Sequence, residues 1–151
     1  MVAVPFYHYR KKMQRPSKAG YPTDPKSLGE HIRKARMDRG LLQKDVAELF
    51  GVSEDTITYW ENERSYPQVH FYPHIISFLG YYPFDHETES AAGKIRKVRY
   101  RNGWTYRQCA KAMGVDAATV QAWEQSKRLA QNTASKEILL QFFITNQNAL
   151  F

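Results

Sequence analysis

The sequence predicts an all-α protein composed of two tandem five-helix domains joined by a short acidic linker. The first observation behind this prediction is a repeat, because residues 51–61 return as residues 114–124 at an offset of 63. The second is that each copy has a glycine suited to a positive φ and, two residues later, a helix-capping side chain, Ser53 or Asp116. Units of roughly 50 to 60 residues can each enclose a small core, so a duplicated domain suits a chain of 151 residues.

The repeat keeps its register without a gap over most of both copies. The aligned pairs are Ile32 with Ile95, Arg36 with Arg99, Gly40 with Gly103, Ala47 with Ala110, Trp60 with Trp123 and Glu61 with Glu124. An alignment that holds over this many residues without a gap indicates that one ancestral unit was duplicated. The predicted segments are a basic, proline-rich arm over residues 1–27, a first domain over 28–82, a linker over 83–90, a second domain over 91–146 and a tail over 147–151.

Capping residues and apolar spacing place the helices of the first domain. Ser27 and Glu30 form a capping-box pattern at the start of the first helix, and Gly40 ends that helix. In the second helix, Leu42 and Leu49 are among the side chains expected to face the core. The helices after the first are predicted over residues 41–50, 54–63 and 74–79.

The second domain and the segments around it follow the same plan. Pro83 and three acidic residues leave the linker little apolar surface to bury, and the tail after Asn146 is expected to fray. The helices of the second domain are predicted over residues 93–101, 106–113, 117–125 and 135–145.

The composition argues against several functional classes. Hydrophobic residues make up 42% and charged residues 25%, as in an ordinary globular protein, and no apolar run approaches the roughly 18 residues of a membrane span. The N-terminus lacks a leader-peptide pattern, His70 and His74 have no second pair of metal ligands, and the single Cys109 is expected to be buried. We therefore expect no cofactor, no metal, no catalytic residues and no enzymatic activity.

The net charge of +7 is distributed unevenly. Residues 91–143 carry ten basic and three acidic side chains, whereas residues 28–82 carry six basic and eight acidic ones. Residues 1–27 add a basic cluster with four prolines and no helical or strand period. That segment is compatible with a solvated tail or with an arm lying along nucleic-acid phosphates. The positive total favours nucleic acid as the partner.

The most specific motif spans residues 43–61, which read Q-x-x-V-A-x-x-x-G-V-S-x-x-T-I-x-x-W-E. It resembles the lambda-repressor-like (Cro/Xre-type) helix-turn-helix DNA-binding family. The second copy resembles the family more weakly, with Tyr106 at the position of Gln43. The resemblance implies double-stranded DNA as the partner, no membrane association, and transcription regulation in the cytoplasm, at the nucleoid, of a bacterial or phage system.

The resemblance also implies roles for individual residues. An arginine late in the first helix pairs with the glutamate that closes the recognition helix, which here means Arg36 with Glu61 and Arg99 with Glu124. The candidates for base reading are Glu54, Asp55, Thr58, Tyr59, Ala117, Ala118, Gln121 and Ala122. The candidates for phosphate contacts are Gln43, Lys44, Arg64, Thr105, Tyr106, Arg107, Lys127, Arg128, Arg10, Lys11 and Lys12.

Two departures from the family pattern leave alternatives open. Leu42 occupies the position of a polar phosphate contact and cannot donate a hydrogen bond, and Glu54 and Asp55 repel phosphates. The leading interpretation is a sequence-specific DNA-binding transcriptional regulator with two unlike helix-turn-helix units in one chain. The alternative is an antitoxin-like regulator whose first copy contacts a protein partner. Four aromatic residues also leave a homodimer open, namely Phe71, Tyr72, Tyr81 and Tyr82.

Overall fold

The computed structural model describes residues 19–84, 89–125 and 132–150, and these residues are helical without any β-strand. The all-α class predicted from the sequence is confirmed for them. The helices are α1 (Leu28–Asp38), α2 (Gln43–Phe50), α3 (Glu54–Glu61), α4 (Tyr72–Leu79), α5 (Ala91–Asn102), α6 (Tyr106–Met113), α7 (Ala117–Glu124), α8 (Thr133–Thr145) and α9 (Gln147–Leu150). A short 3₁₀ turn, Val69–Phe71, precedes α4.

Helix α1 begins at the capping box that the sequence predicts. The Glu30 N–H donates to the Ser27 hydroxyl oxygen at 3.2 Å, and the Glu30 carboxylate accepts from the Ser27 N–H at 3.3 Å. The Lys26 N–H donates to the same carboxylate at 2.7 Å. These backbone hydrogen bonds, from Lys26 first and Ser27 second, hold the pKa of Glu30 below its ordinary value. The start of α1 is therefore determined by side chains within a few residues of it.

Two clusters of buried side chains hold the helices together. The first joins α1 to α4 and contains Leu28, Ile32, Ala35, Val46, Ala47, Ile57, Trp60, Ile75 and Leu79. The second joins α5 to α8 and contains Ile95, Val98, Cys109, Ala110, Met113, Val120, Trp123, Leu139 and Phe142. Burial raises the pKa of the Cys109 thiol to about 12, which disfavours the thiolate form at neutral pH.

Helices α1 and α3 approach each other closely at Gly29. A Cβ placed on Gly29 would lie 2.0 Å from the carbonyl oxygen of Trp60, far inside van der Waals contact. The aligned position in α5 is Ala92, which is buried. The contact between α5 and α7 therefore accommodates a methyl group that the contact between α1 and α3 does not.

Helices α4 and α5 are also in direct contact. The ring centroids of Tyr72 and Tyr100 are 4.1 Å apart, and the ring of Phe84 lies 6.0 Å from that of Tyr100. At the end of α5, a Cβ on Gly103 would lie 3.1 Å from Cγ of Pro73. Burial, then the charge and hydrogen bond of Tyr100, raise the pKa of Tyr72. These residues form what we call the α4–α5 contact, which joins the two halves of the helical set.

The segment predicted as the start of the linker is packed, which corrects the expectation that it has little to bury. Pro83 is buried, and Phe84 packs against the first cluster. Tyr82, just before it, is only 3% exposed, and Lys97 lies 5.2 Å from its ring centroid. The acidic composition around Pro83 concealed this packing, because aromatic side chains can be buried next to a charged turn. Residues 85–88 lie outside the described part of the chain.

Two further expectations are wrong. The tail after Asn146 forms helix α9, because Ala149 and Leu150 pack against the second cluster. Leu42 and Leu49 do not face the core, since their side chains are 54% and 61% exposed. Helix α2 begins at Gln43, so Leu42 precedes it, and the buried face of this short helix is supplied by other side chains.

The α4–α5 contact predicts a difference between two glycines with nearly the same φ. Gly103 and Gly114 have φ of 66° and 70°, so replacing either by alanine costs about 1–2 kcal/mol of backbone strain. Only the Gly103→Ala methyl would press against Pro73 and the Cα of His70, because nothing lies within 4 Å of a Cβ on Gly114. We expect Gly103→Ala to lower the free energy of unfolding by about 1 kcal/mol more than Gly114→Ala in urea titrations. Equal losses would mean that α4 and α5 do not press together there.

Candidate nucleic-acid interface

A glycine turn and a side-chain cap orient α3 and α7 in the same way. Gly51 ends α2 and Gly114 ends α6, both with a left-handed φ. The Thr56 N–H donates to the Ser53 hydroxyl oxygen at 3.2 Å, and the Thr119 N–H donates to the Asp116 carboxylate at 2.8 Å. Each pair of helices, α2 with α3 and α6 with α7, is therefore joined by a short turn whose backbone groups are satisfied locally.

Apart from Ala117, which packs against the second cluster, the predicted base-reading residues lie outside the two clusters of buried side chains. Those that are exposed are Glu54, Asp55, Tyr59, Ala118 and Gln121, and those that are half-buried are Thr58, Ala117 and Ala122. The buried faces carry Ile57 with Trp60 in α3 and Val120 with Trp123 in α7. Each helix thus presents a strip of side chains that is free of the core.

Arg36 and Glu61 form a two-point ion pair between α1 and α3. Nε of Arg36 donates to Oε1 of Glu61 at 2.6 Å, and Nη2 donates to Oε2 at 2.9 Å. Nη1 of Arg36 also donates to the carbonyl oxygen of Leu41 at 3.0 Å. Arg33 approaches the same carboxylate at 3.5 Å and donates to Asn62. Glu61 is 2% exposed, so its charge is neutralised by these arginines rather than by water.

The pair Arg99 with Glu124 has the same geometry between α5 and α7. Nε and Nη2 of Arg99 donate to the two carboxylate oxygens of Glu124 at 2.7 and 2.8 Å, and Nη1 donates to the carbonyl oxygen of Trp104 at 3.2 Å. Arg99 is 6% exposed. Burial disfavours the charged form of Arg99, but the hydrogen bonds and charge of Glu124 outweigh burial and raise the pKa of Arg99. We call each of these two pairs an Arg–Glu clamp.

The side chain that reinforces each clamp from the second helix differs between the copies. Gln43 donates to Glu61 at 2.9 Å and accepts from the Thr58 hydroxyl at 3.0 Å. The hydroxyl of Tyr106 donates to Glu124 at 3.2 Å, and burial, then the charge of Glu124, raise the pKa of Tyr106 and keep it a donor. The amide of Gln43 and the hydroxyl of Thr58 are thus engaged inside the protein, although the sequence suggested that both face DNA.

Gln121 stands where the first copy has Thr58. It is exposed, and no hydrogen bond holds its amide within the described part of the chain. Tyr106 donates to Glu124 and makes no hydrogen bond to the side chain at position 121, whereas Gln43 accepts a hydrogen bond from Thr58. Because α6 begins with Tyr106 where α2 begins with Gln43, the side chain of Gln121 remains available to a ligand.

Of the predicted phosphate contacts, Gln43 and Tyr106 bind the clamp glutamates, and the other nine fall into three groups. Lys44, Arg64 and Arg107 are exposed, and their side chains make no hydrogen bond or ion pair within the described residues. The Thr105 hydroxyl is part of the cap of α6, where it accepts from the Gln108 N–H at 3.3 Å. Lys127, Arg128, Arg10, Lys11 and Lys12 lie outside the described residues.

Two features of the interface were missed by the residue-role predictions. Arg33 in α1 and Arg96 in α5 each add a second guanidinium to the clamp glutamate, Arg96 at 3.4 Å from Glu124. Their alignment in the repeat was the available signal, because a pair kept at the same offset marks a shared contact. Among the described residues, no group of His, Cys, Asp and Glu is arranged to hold a metal ion.

The comparison with known proteins identifies one part of the chain. No curated protein and no solved structure matches it, and none of the helices in its described part is long and apolar enough to cross a membrane. Residues 32–85 match the model of a helix-turn-helix family, and the match does not extend into residues 91–146. The glycine turn, the capped α3 and the Arg–Glu clamp of the described part of this segment are compatible with that match.

Proposed function

We propose that this protein is a sequence-specific DNA-binding transcriptional regulator in which two unlike helix-turn-helix units, residues 28–82 and 91–146, act from one chain. The observation that carries the proposal is the second Arg–Glu clamp. Arg99 binds Glu124 through the same atoms that Arg36 uses on Glu61, with nearly the same distances. A helix held by the same internal contacts after the same glycine turn is suited to the same task.

The two units are suited to read different bases. In the second unit, the free amide of Gln121 can form a bidentate contact with adenine, and Ala118 allows close approach to a thymine methyl. In the first unit, the carboxylates of Glu54 and Asp55 can accept from cytosine N4, and Tyr59 offers an exposed ring. The two units would therefore recognise a DNA site whose two halves differ in base sequence.

The α4–α5 contact supports a fixed spacing between the two halves of that site. The ring of Tyr72 packs against that of Tyr100, and Gly103 lies against Pro73, so α3 and α7 belong to helix sets that touch directly. One chain would then cover both half-sites without a symmetric partner. All four aromatic residues that left a homodimer open make contacts within the chain: Phe71 with Trp60, Tyr72 with Tyr100, Tyr81 with His31 and Tyr82 with Lys97.

Selection of bound sequences from random DNA tests the proposed function. The expected result is one asymmetric motif with two parts, bound by a monomer. Inserting five base pairs between the parts should abolish binding, because it rotates one half-site to the opposite face of the duplex. A strict inverted repeat bound only by a dimer would contradict the single-chain interpretation, and failure to select any motif would contradict sequence-specific binding.

A second function for the first unit is favoured by its exposed apolar side chains. Leu42, just before α2, and Leu49 within α2 are more than half exposed, and Glu54 and Asp55 lie at the start of α3. A protein partner with apolar and basic groups would suit this surface better than phosphates do. This is the antitoxin-like alternative, in which the second unit holds DNA. It predicts that Leu42→Ser with Leu49→Ser leaves DNA binding unchanged and abolishes capture of a partner that copurifies with the wild-type chain.

Position-matched substitutions predict which unit supplies the phosphate contacts. Arg107 aligns with Lys44, and Lys127 aligns with Arg64. We expect the double change Arg107→Ala with Lys127→Ala to reduce the slope of log affinity against log salt by about two units, because each lost phosphate contact contributes about 0.9. The change Lys44→Ala with Arg64→Ala should reduce it by less than one, since acidic residues outnumber basic ones in residues 28–82. Fluorescence anisotropy over a salt series measures both slopes, and a larger effect of the first-unit pair would make that unit the main DNA contact.

A further inference from the structure

A groove of about 400 Å³ lies between α6 and α8 of the second unit. Its floor is apolar and consists of Trp104, Met113 at the end of α6, and Ile138 with Phe142 in α8. Grooves of this size and lining bind small organic ligands in many proteins. None of the lining residues is among the proposed DNA contacts, so the groove is a separate feature of the second unit.

The repeat shows which side chains fill the corresponding place in the first unit. At the offset of 63, Met113 aligns with Phe50, and Gln141 aligns with Phe78. The rings of Phe50 and Phe78 pack edge to face with their centroids 5.5 Å apart, and both rings pack against the first cluster. The second unit has a thioether and an amide at these two positions, so neither ring is present there.

The exposure of one isoleucine reports the same difference between the units. Ile75 in α4 is fully buried, whereas the aligned Ile138 in α8 is only half-buried and lines the groove. Apolar surface that an aromatic pair covers in the first unit therefore contacts solvent in the second. Covering this surface with the ring of a ligand would be favourable, because it removes apolar area from water.

The polar groups at the rim of the groove accept hydrogen bonds. Among the described residues that line the groove, only Glu137 is charged, and its carboxylate and the Gln141 amide make no hydrogen bond or ion pair within the described chain. Asn146 donates through its amide N–H to the Phe142 carbonyl oxygen at 2.9 Å, which leaves its amide oxygen as an acceptor. The second unit is basic as a whole, but exposed charges farther away than about 8 Å are largely screened at physiological salt. The rim therefore favours a ligand with a cationic donor.

We propose that this groove binds a small aromatic compound that carries a protonated amine, with its ring on the apolar floor and its ammonium group at Glu137. The ring of the ligand would occupy the place that corresponds to the Phe78 ring of the first unit. The proposal goes beyond the proposed function, because the site requires no contact with DNA. A chain that binds no DNA would leave the ligand site standing, and loss of the ligand site would leave the proposed function standing.

Titration of the full chain with tryptamine tests the site, and indolepropionate is the matched control because it has the same ring and a carboxylate in place of the amine. The indole N–H signal of Trp104 in heteronuclear NMR spectra reports binding, and the signal of Trp60 in the first unit is the internal reference. We expect a saturable shift of the Trp104 signal with a Kd of about 1 mM or tighter for tryptamine. Binding of indolepropionate should be weaker by at least about fivefold, because its charge is repelled by Glu137. No saturable shift, equal Kd values for the two compounds, or an equal shift of the Trp60 signal would overturn the inference.

Two variants locate the ligand in the groove. Gln141→Phe introduces the residue that the first unit has at this position, and its ring should cover the floor and abolish the saturable shift. Leu140→Phe is the matched control on the same helix, because Leu140 is 61% exposed and does not line the groove, and it should leave the Kd unchanged. Glu137→Gln should weaken tryptamine binding about two- to fivefold and strengthen that of indolepropionate.

Circular dichroism melts show whether each variant is folded before it is titrated. Unchanged tryptamine affinity in folded Gln141→Phe, or equal losses in Gln141→Phe and Leu140→Phe, would contradict a site in this groove. If Gln141→Phe does not fold, Glu137→Gln decides, because that substitution lies on the surface. An unchanged ratio of the two Kd values in Glu137→Gln would show that this carboxylate does not select the amine, and the inference would fail.

Discussion

Replacing Glu124 by glutamine is expected to lower the free energy of unfolding by about 3–5 kcal/mol. The substitution keeps the shape of the side chain but removes the charge that balances Arg99, which is only 6% exposed. It also weakens the contacts of Arg96 and Tyr106, which bind the same carboxylate. A buried guanidinium without a counter-charge cannot recover its hydration, so the loss exceeds that of a surface pair. Urea denaturation at neutral pH measures it.

Two comparisons make the Glu124 result interpretable. Glu137→Gln on the exposed face of α8 should change the unfolding free energy by less than about 0.5 kcal/mol. Glu61→Gln should cost less than Glu124→Gln, because the Arg36 side chain is 13% exposed and the Arg99 side chain is 7% exposed. A loss below about 1 kcal/mol for Glu124→Gln would mean that water screens the clamp as it screens a surface pair.

Replacing Gly29 by alanine is expected to destabilise the protein by about 3 kcal/mol or more, although alanine is the better helix former. The added methyl would lie 2.0 Å from the Trp60 carbonyl oxygen, and it is bonded directly to the backbone of α1 while the carbonyl is part of the backbone of α3. Either α1 or α3 must shift to relieve this overlap. Since α3 carries the proposed base-reading residues, DNA binding should weaken even at temperatures where the variant remains folded. Thermal melts and anisotropy titrations on the selected DNA measure the two effects.

The aligned position in α5 provides the reverse substitution as a control. Ala92→Gly removes a buried methyl and adds backbone freedom, so it should cost about 1 kcal/mol. Both substitutions are then destabilising, because the distance between α1 and α3 suits glycine at position 29 and the distance between α5 and α7 suits alanine at position 92. If Gly29→Ala stabilises the protein, as alanine does in an exposed helix, then α1 and α3 lie too far apart for a Cβ on residue 29 to meet the Trp60 carbonyl oxygen.

Local features of this protein were determined by the sequence itself. The caps of α1, α3 and α7 form between a side chain and a backbone group three residues away, so Ser27, Ser53 and Asp116 suffice to place those helix starts. The resemblance to the helix-turn-helix family implied the pair Arg36 with Glu61, and the repeat carries the same two residue types at Arg99 and Glu124. Such features depend on spacing along the chain, and spacing is visible in the sequence.

The tertiary structure alone decided which surfaces remain available. The hydroxyl of Thr58 donates to Gln43, whereas the side chain of Gln121 has no hydrogen-bond partner among the described residues. The difference arises at the start of α2 and α6, because Gln43 bonds both Glu61 and Thr58 whereas Tyr106 bonds Glu124 alone. The packing of Tyr72 on Tyr100 joins residues from the two copies, and Tyr21 reaches Asp38 across 17 positions. Contacts of this kind depend on the positions of whole helices, which follow from the sum of many weak packing interactions and not from any short pattern.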